Sequence, residues 1–172
     1  MSRKIILGLA LSLDAMIEGP NGEYDWCFTD QDYGMKEFLG SIDSILYGRK
    51  SYELLTRDFG KDNPFAHLKS YVFSRTMAPG KDYTLVNGDI AKEIGKIRQS
   101  PGKNLWLFGG AALATELFRL KLVDELWLSV HPIILGQGKP LFTSLTERIK
   151  LELISSKPYN TGLVSLTYKV VY

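Results

Sequence analysis

No stretch of this chain leaves fewer structural choices open than Leu105 to Leu117, Leu-Trp-Leu-Phe-Gly-Gly-Ala-Ala-Leu-Ala-Thr-Glu-Leu. Leu105 to Phe108 reads as a buried strand, Gly109-Gly110 as a turn, and the residues from Ala111 as a helix. A strand that runs through glycines into a helix leaves backbone N–H groups unpaired at the helix start. Together with the positive end of the helix dipole they form a seat for phosphate or diphosphate. The adjacent glycines permit a sharp turn and leave no Cβ in the way of a ligand. A plain strand–helix turn accounts for the same letters, so the neighbouring segments carry the decision.

The pattern recurs. Ile42 to Tyr47 is apolar and leads into Gly48-Arg49-Lys50-Ser51. Two cations in a first helical turn oppose the dipole unless an anion joins them. Tyr71-Val72-Phe73 forms the heart of another strand and ends in Ser74-Arg75-Thr76. Hydroxyls flanking a guanidinium suit a phosphate monoester, because arginine donates in a planar fork. Ile5 to Leu11 is continuously apolar, as in a central strand covered on both faces. A turn-rich loop follows from Ser12 to Asp25. A helix is predicted from Asp30, as N-cap, to about Leu39, and another from Asp89 to Gln99. Val123 to Val130 is a strand, the segment from Pro132 to Phe142 a loop, and Lys150–Ser155 with Gly162–Tyr172 an antiparallel pair. Strands alternate with helices and then strands close the chain. That order predicts one α/β domain over residues 1–172 with a mixed sheet.

Composition narrows the function. A net charge of +2 with acids and bases interspersed gives no nucleic-acid footprint. The apolar runs are too short to span a bilayer. Cys27 is the single cysteine, so no internal disulfide can form, and a reducing, cytoplasmic setting is expected. His67 and His131 stand apart from each other and from any zinc-spaced cluster, so no metal is expected.

The order of these strand-end motifs resembles the dihydrofolate reductase-like superfamily. Ser12-Leu13-Asp14 with Gly19, Val123-Asp-Glu-Leu126 and Pro132-Ile-Ile-Leu-Gly-Gln-Gly-Lys-Pro-Leu-Phe142 are most similar to the pyrimidine reductase domains at the C-terminus of bifunctional riboflavin-biosynthesis proteins. The resemblance covers nearly the whole chain. It implies a three-layer αβα dihydrofolate reductase-like fold, with a mixed, mainly parallel central sheet and an antiparallel C-terminal strand pair. It implies a homodimer acting on a small molecule, and an NADPH site. Gly48, Arg49, Lys50 and Ser51 match the helix start that holds the cofactor phosphates. Ser74, Arg75 and Thr76 match the segment meeting the adenosine 2′-phosphate. Gly109 and Gly110, often joined by a cis peptide in that family, match the diglycine beside the diphosphate and nicotinamide, with Ala111 and Ala112 opening the helix. Ala10, Ile17 and Gly19 match positions near the nicotinamide.

The chemistry implied is hydride transfer from NADPH to a C=N or C=O group of a small heterocycle, imine or carbonyl compound. The proton needs a positioned acid or an ordered water. Asp30 and Asp32 are the nearest matches to the family's acid, and each reads equally as a helix cap. Ser12, Asp14, Trp26 and Ser129 match the substrate side. The Ser-Leu-Asp motif continues with Ala15-Met16 where the relatives carry glycine and lysine, removing one contact to an anionic substrate. A non-catalytic NADP(H)-binding or sensing domain on the same fold is the alternative.

Overall fold

The computed structural model describes residues 2–172. Ten strands and four helices follow in the order β1 (Ile5–Leu11), β2 (Met16–Glu18), α1 (Met35–Ser41), β3 (Ile42–Gly48), α2 (Arg49–Phe59), β4 (Lys69–Phe73), β5 (Thr84–Val86), α3 (Ile90–Gln99), β6 (Asn104–Gly109), α4 (Ala111–Arg119), β7 (Glu125–Val130), β8 (Lys139–Pro140), β9 (Lys150–Pro158) and β10 (Val164–Val171). Eight of the strands form one sheet in the order β5-β4-β3-β6-β1-β7-β10-β9. The pairs from β5 to β7 are parallel, and β10 lies antiparallel to both β7 and β9. This is a dihydrofolate reductase-like architecture, mainly parallel, closed by an antiparallel C-terminal pair.

The apolar runs explain the layering. Ile5, Leu7 and Leu11 of β1 face one core with Leu105 and Leu107 of β6 and with Ile94, Leu113 and Leu117 from α3 and α4. Ile6, Ile45, Tyr47, Val72 and Trp106 face the opposite core, under Phe38 of α1 and Leu55 of α2. Alternation along each strand serves both faces, which is why these strands read as nearly unbroken apolar sequence. Strand β9 differs: all nine of its residues are exposed.

Sheet order sets the position of the site. Strand β1 lies between β6 and β7, and the chain has crossed from one side of β1 to the other between those strands. Ligands in open α/β sheets bind outside the carboxyl ends of strands near such a reversal. A second, two-stranded sheet pairs β2 with β8 and ties the loop after β1 to the loop after β7. Asp14 strengthens the tie by accepting from Leu135 N (3.1 Å), Gly136 N (2.8 Å) and the Ser12 hydroxyl (2.6 Å). These bonds hold its carboxyl at about 2, below the ordinary 3.8.

One helix boundary departs from expectation. Asp30 does not cap α1, which begins at Met35 after Tyr33 and Gly34, both at positive φ (51° and 86°). Asp32 supplies the carboxylate instead, accepting from Gly34 N and Lys36 N. Among the described residues no helix is long and apolar enough to cross a membrane.

Candidate functional site

Three cavities adjoin along the carboxyl ends of the central strands. The first, about 610 Å³, is lined by Gly48, Arg49, Lys50 and Ser51, by Ser74 and Arg75, and by Gly110, Ala111 and Ala112. Thus all three strand-end motifs meet in one place. Thr76 stands just outside this lining, its N–H donating to the Ser74 hydroxyl (3.2 Å), which also accepts from Met77 N (3.1 Å). Asn87, Gly88, Glu116 and Lys139 also line it. Asn87 and Gly88 lie on a loop without a motif, whereas Lys139 falls in β8, within the Pro132–Phe142 segment, and only the fold brings it to this wall.

Helix capping makes the character of this cavity specific. Helix α3 has Asp89 at its start accepting from Lys92 N, and α1 has Asp32. Helices α2 and α4 start at Gly48 and Gly110 with no side-chain cap and no acidic residue in their first turns. Both of these starts open on the first cavity. Arg49, Lys50, Arg75 and Lys139 line the same space. Arg49 reaches Glu53 one turn on (3.0 Å), and Lys139 pairs with Glu18 (3.2 Å). Uncapped amides, two helix dipoles and four cations, set against the carboxylate of Glu116, make a cradle suited to an anion.

The diglycine turn is formed by dihedral angles that other residues rarely adopt, φ 145° at Gly109 and 93° at Gly110. The Gly109–Gly110 peptide is trans, not cis; the positive φ values alone make the turn. A Cβ on Gly110 would make only ordinary contacts, 3.4 Å from Ser51 Oγ and 3.6 Å from Gly48 Cα, so the backbone angle rather than lack of space calls for glycine where the two helix starts meet. The register between β3 and β6 shifts so that Tyr47 pairs with Gly109, leaving Phe108 unpaired between Leu107 and Gly109.

The second cavity, about 320 Å³, shares Ser51 and Gly110 with the first and runs past Ala10, Ile17, Phe108 and Gly109 to Trp106 and Met35. Its walls are predominantly apolar. The third, about 380 Å³, shares Ala10, Cys27, Met35 and Trp106 with the second and adds Phe28, Asp32, Trp127, Ser129 and His131. Gly8 makes this floor possible. A Cβ there would come within 2.9 Å of Trp106 Nε1 and 3.2 Å of Trp127, so only glycine lets both indoles close on β1. Trp106 Nε1 donates to the Gly8 carbonyl (2.8 Å).

The aspartates separate in position. Asp32 lines the third cavity, each oxygen accepting from a backbone N–H. Asp30 lines none of the three and accepts from the Tyr33 hydroxyl (2.6 Å). Ser12, Asp14 and Gly19 are likewise absent from the three linings. Ser12 and Asp14 are occupied with each other and with the loop after β7. Trp26 stands edge-on to His131 (centroids 5.3 Å apart, 83°), also outside the linings.

His131 is a wall residue that its isolation in sequence concealed. It is buried; Nδ1 lies 3.0 Å from the Ser129 carbonyl and Nε2 accepts from Phe28 N at 3.0 Å. These partners fix the neutral Nδ1–H tautomer, and burial pushes the imidazole below 6.5. Cys27, between the second and third cavities, is pushed up to about 11 by burial and is therefore a thiol. Among the described residues no group of three or more His, Cys, Asp or Glu side chains is placed to hold a metal.

Comparison with known proteins agrees with this fold. A family model described as the RibD C-terminal domain matches residues 3–165. YyaP of Bacillus subtilis, an uncharacterized protein, is 44% identical over 96% of this chain and 94% of its own. The crystal structure of a candidate riboflavin biosynthesis protein from Shewanella sp. PV-4 superposes with a TM-score of 0.88, 25% identity and full coverage of both chains. A diaminohydroxyphosphoribosylaminopyrimidine deaminase/5-amino-6-(5-phosphoribosylamino)uracil reductase from Thermotoga maritima shares the fold, with a TM-score of 0.75 and 14% identity over 99% of this chain and 57% of that one.

Proposed function

The chain belongs to the RibD C-terminal domain family, and from that premise we propose that it is an NADPH-dependent reductase acting on a small heterocycle, imine or carbonyl compound. The observation that carries the reading is the pair of uncapped helix starts, α2 and α4, converging with Arg49, Lys50 and Arg75 on one cavity. The donor set fits a dinucleotide diphosphate with one further phosphate.

Each wall has its task. The amides at Gly48–Ser51 and Gly110–Ala112 bind the diphosphate, with Arg49 and Lys50 neutralising it. Ser74 and Arg75, with Thr76 at the rim, bind the adenosine 2′-phosphate. The diglycine admits the cofactor chain between the two helix starts, toward the apolar second cavity. Ala10, Ile17 and Phe108 there exclude water from the reacting face. When bound, NADPH supplies the hydride. The substrate occupies the third cavity, against Phe28 and Trp127, with Ser129 as a hydroxyl partner. Asp32 rather than Asp30 is the acidic residue placed to relay the proton, since it alone of the two lines that cavity; backbone bonds to both oxygens fix its orientation. Ser12 and Asp14 act on this site by fastening its loops.

The protein works as a homodimer in a reducing compartment such as the cytoplasm. Support for the dimer comes from β9, an edge strand paired only with β10, with Leu151, Leu153 and Ile154 42%, 57% and 54% exposed. Exposed apolar edges of that length are normally covered, here by a second copy.

Calorimetric titration with NADPH and then NADH tests the cofactor assignment. Saturable binding with NADPH the tighter ligand is expected. Binding of neither refutes it and leaves the fold without this function. Cofactor binding with no NADPH oxidation across carbonyl and imine substrates would favour the sensing alternative.

A further inference from the structure

One ion pair joins the cradle to the second cavity. Lys139 of β8 lines the cradle, and Glu18 of β2 lines the second cavity. Lys139 Nζ stands 3.2 Å from Glu18 Oε1, with the two side chains 40% and 29% exposed. The backbone beneath them is held in place. Glu18 is in register with Lys139 and Met16 with Pro140, and Leu141 N donates to the Ala15 carbonyl (3.0 Å). Gly138 packs so closely that a Cβ there would stand 2.3 Å from the Glu18 carbonyl oxygen. Any change of partner therefore falls to the side chains. A pair this exposed is weak and yields to a more highly charged partner. Its surroundings differ on the two sides. In the cradle, Arg49 is engaged by Glu53 (3.0 Å) and Glu116 stands 4.0 Å from Arg119, while Lys139 is the cation that the β2–β8 ribbon contributes. Among the described residues, no lysine or arginine lines the second cavity. Its other carboxylate, Asp58, is held by Arg57 Nε (2.7 Å) and the Tyr24 hydroxyl. Glu23, outside that lining, accepts from Asn21 N (2.7 Å). Among the described residues, Lys139 is the sole ion-pair partner of Glu18.

We propose that this pair responds to the cofactor: Lys139 leaves Glu18 to clamp the diphosphate of NADPH, and the freed Glu18 carboxylate favours the oxidised, cationic nicotinamide over the reduced, neutral one. The inference rests on the cofactor reading above and deepens it. A diphosphate carries two negative charges against one on Glu18, so it is the stronger partner for Lys139. Arg49 and Lys50 meet the same diphosphate, and no cation of the cradle replaces Lys139 at Glu18. A carboxylate left unpaired beside predominantly apolar walls gains from a positive ring in the same cavity. Loss of the hydride, with both electrons, to the C=N or C=O carbon leaves one positive charge on that ring. Glu18 stays a carboxylate throughout and offsets the charge as it develops.

The test titrates whole protein calorimetrically with NADPH, NADP+ and 2′-phosphoadenosine 5′-diphosphoribose, which carries the diphosphate without a nicotinamide. Lys139→Ala is expected to weaken all three alike, about fivefold, the effect of one charge at contact distance in water, and Lys139→Arg to restore them. Glu18→Gln should bind NADPH and the ring-free probe at least as tightly as wild type, because Lys139 then has no competing partner. In the same variant the ratio of the NADP+ to the NADPH dissociation constant should rise about fivefold. Glu18→Gln preserves the shape of the ribbon and decides the inference even if Lys139→Ala fails to fold. Affinities unchanged in a folded Lys139→Ala, or a ratio unmoved by Glu18→Gln, overturn the inference while wild-type NADPH binding leaves the cofactor reading standing. No binding of NADPH by wild type removes both together.

Discussion

Arg75 offers the sharpest measurement of the cofactor assignment. It stands exposed where β4 ends, lines the cradle, and takes part in none of the salt bridges among the described residues. Removing it therefore leaves no buried partner stranded, and Arg75→Ala should fold as wild type does. Two unit charges about 4 Å apart in water attract by about 1 kcal/mol. A phosphate monoester carries nearly two charges at neutral pH, so the loss on removing the guanidinium is about 2 kcal/mol. That is roughly a 10- to 30-fold rise in the NADPH dissociation constant. NADH lacks the 2′-phosphate and should change by less than about twofold. Calorimetry on both cofactors gives the ratio directly, and added salt should shrink it. An equal loss for both ligands would refute the 2′-phosphate assignment, because it would mean that Arg75 serves the diphosphate or the fold. No loss for either would remove the segment from the site.

Three further outcomes follow from the geometry. Leu153→Lys with Ile154→Lys places two charges on the exposed β9 edge and should weaken the dimer at least ~100-fold, given about 1.5–3 kcal/mol for each apolar side chain buried; sedimentation velocity reads this, and an unchanged assembly would clear β9 of the interface. His131 titrates below 6.5 in the folded protein, so its contribution is fully present above 6.5 and is lost as pH falls through the folded value. Thermal melts of His131→Gln should therefore lack that part of the acid decline, and parallel wild-type and variant curves would contradict the buried neutral tautomer. Asp14 titrates at about 2 against 3.8, so its contribution is present above 3.8 and is lost as pH falls toward 2. Asp14→Asn should melt lower than wild type at neutral pH, with the gap closing in acid; a constant gap would mean that the charge on Asp14 is irrelevant to the loop tie.

Whether a feature could be read from sequence depended on the range of the interaction that forms it. The strand–glycine–helix units were legible because hydrophobic period, glycine and helix start all lie within about a dozen residues. Gly48, Ser74 and Gly110 meet in one cavity because parallel strands align their carboxyl ends, which the α/β order already implied. The start of α1 was not legible. Tyr33 at φ 51° is an unfavourable conformation for an aromatic residue; Tyr159 packs on its ring (centroids 5.0 Å apart) and Thr161 bonds its hydroxyl, both distant in sequence. That contact moves the helix start from Asp30 to Met35 and leaves Asp32, not Asp30, on the cavity wall. His131 follows the same rule, since it becomes a wall residue only through Phe28, far earlier in the chain. The proposed cofactor cradle rests on local motifs, whereas the proposed substrate cavity rests on long-range contacts among loops. Substrate selectivity should therefore be the property that diverges first among chains keeping this sheet, because loop contacts can change without disturbing the strand ends proposed to hold the phosphates.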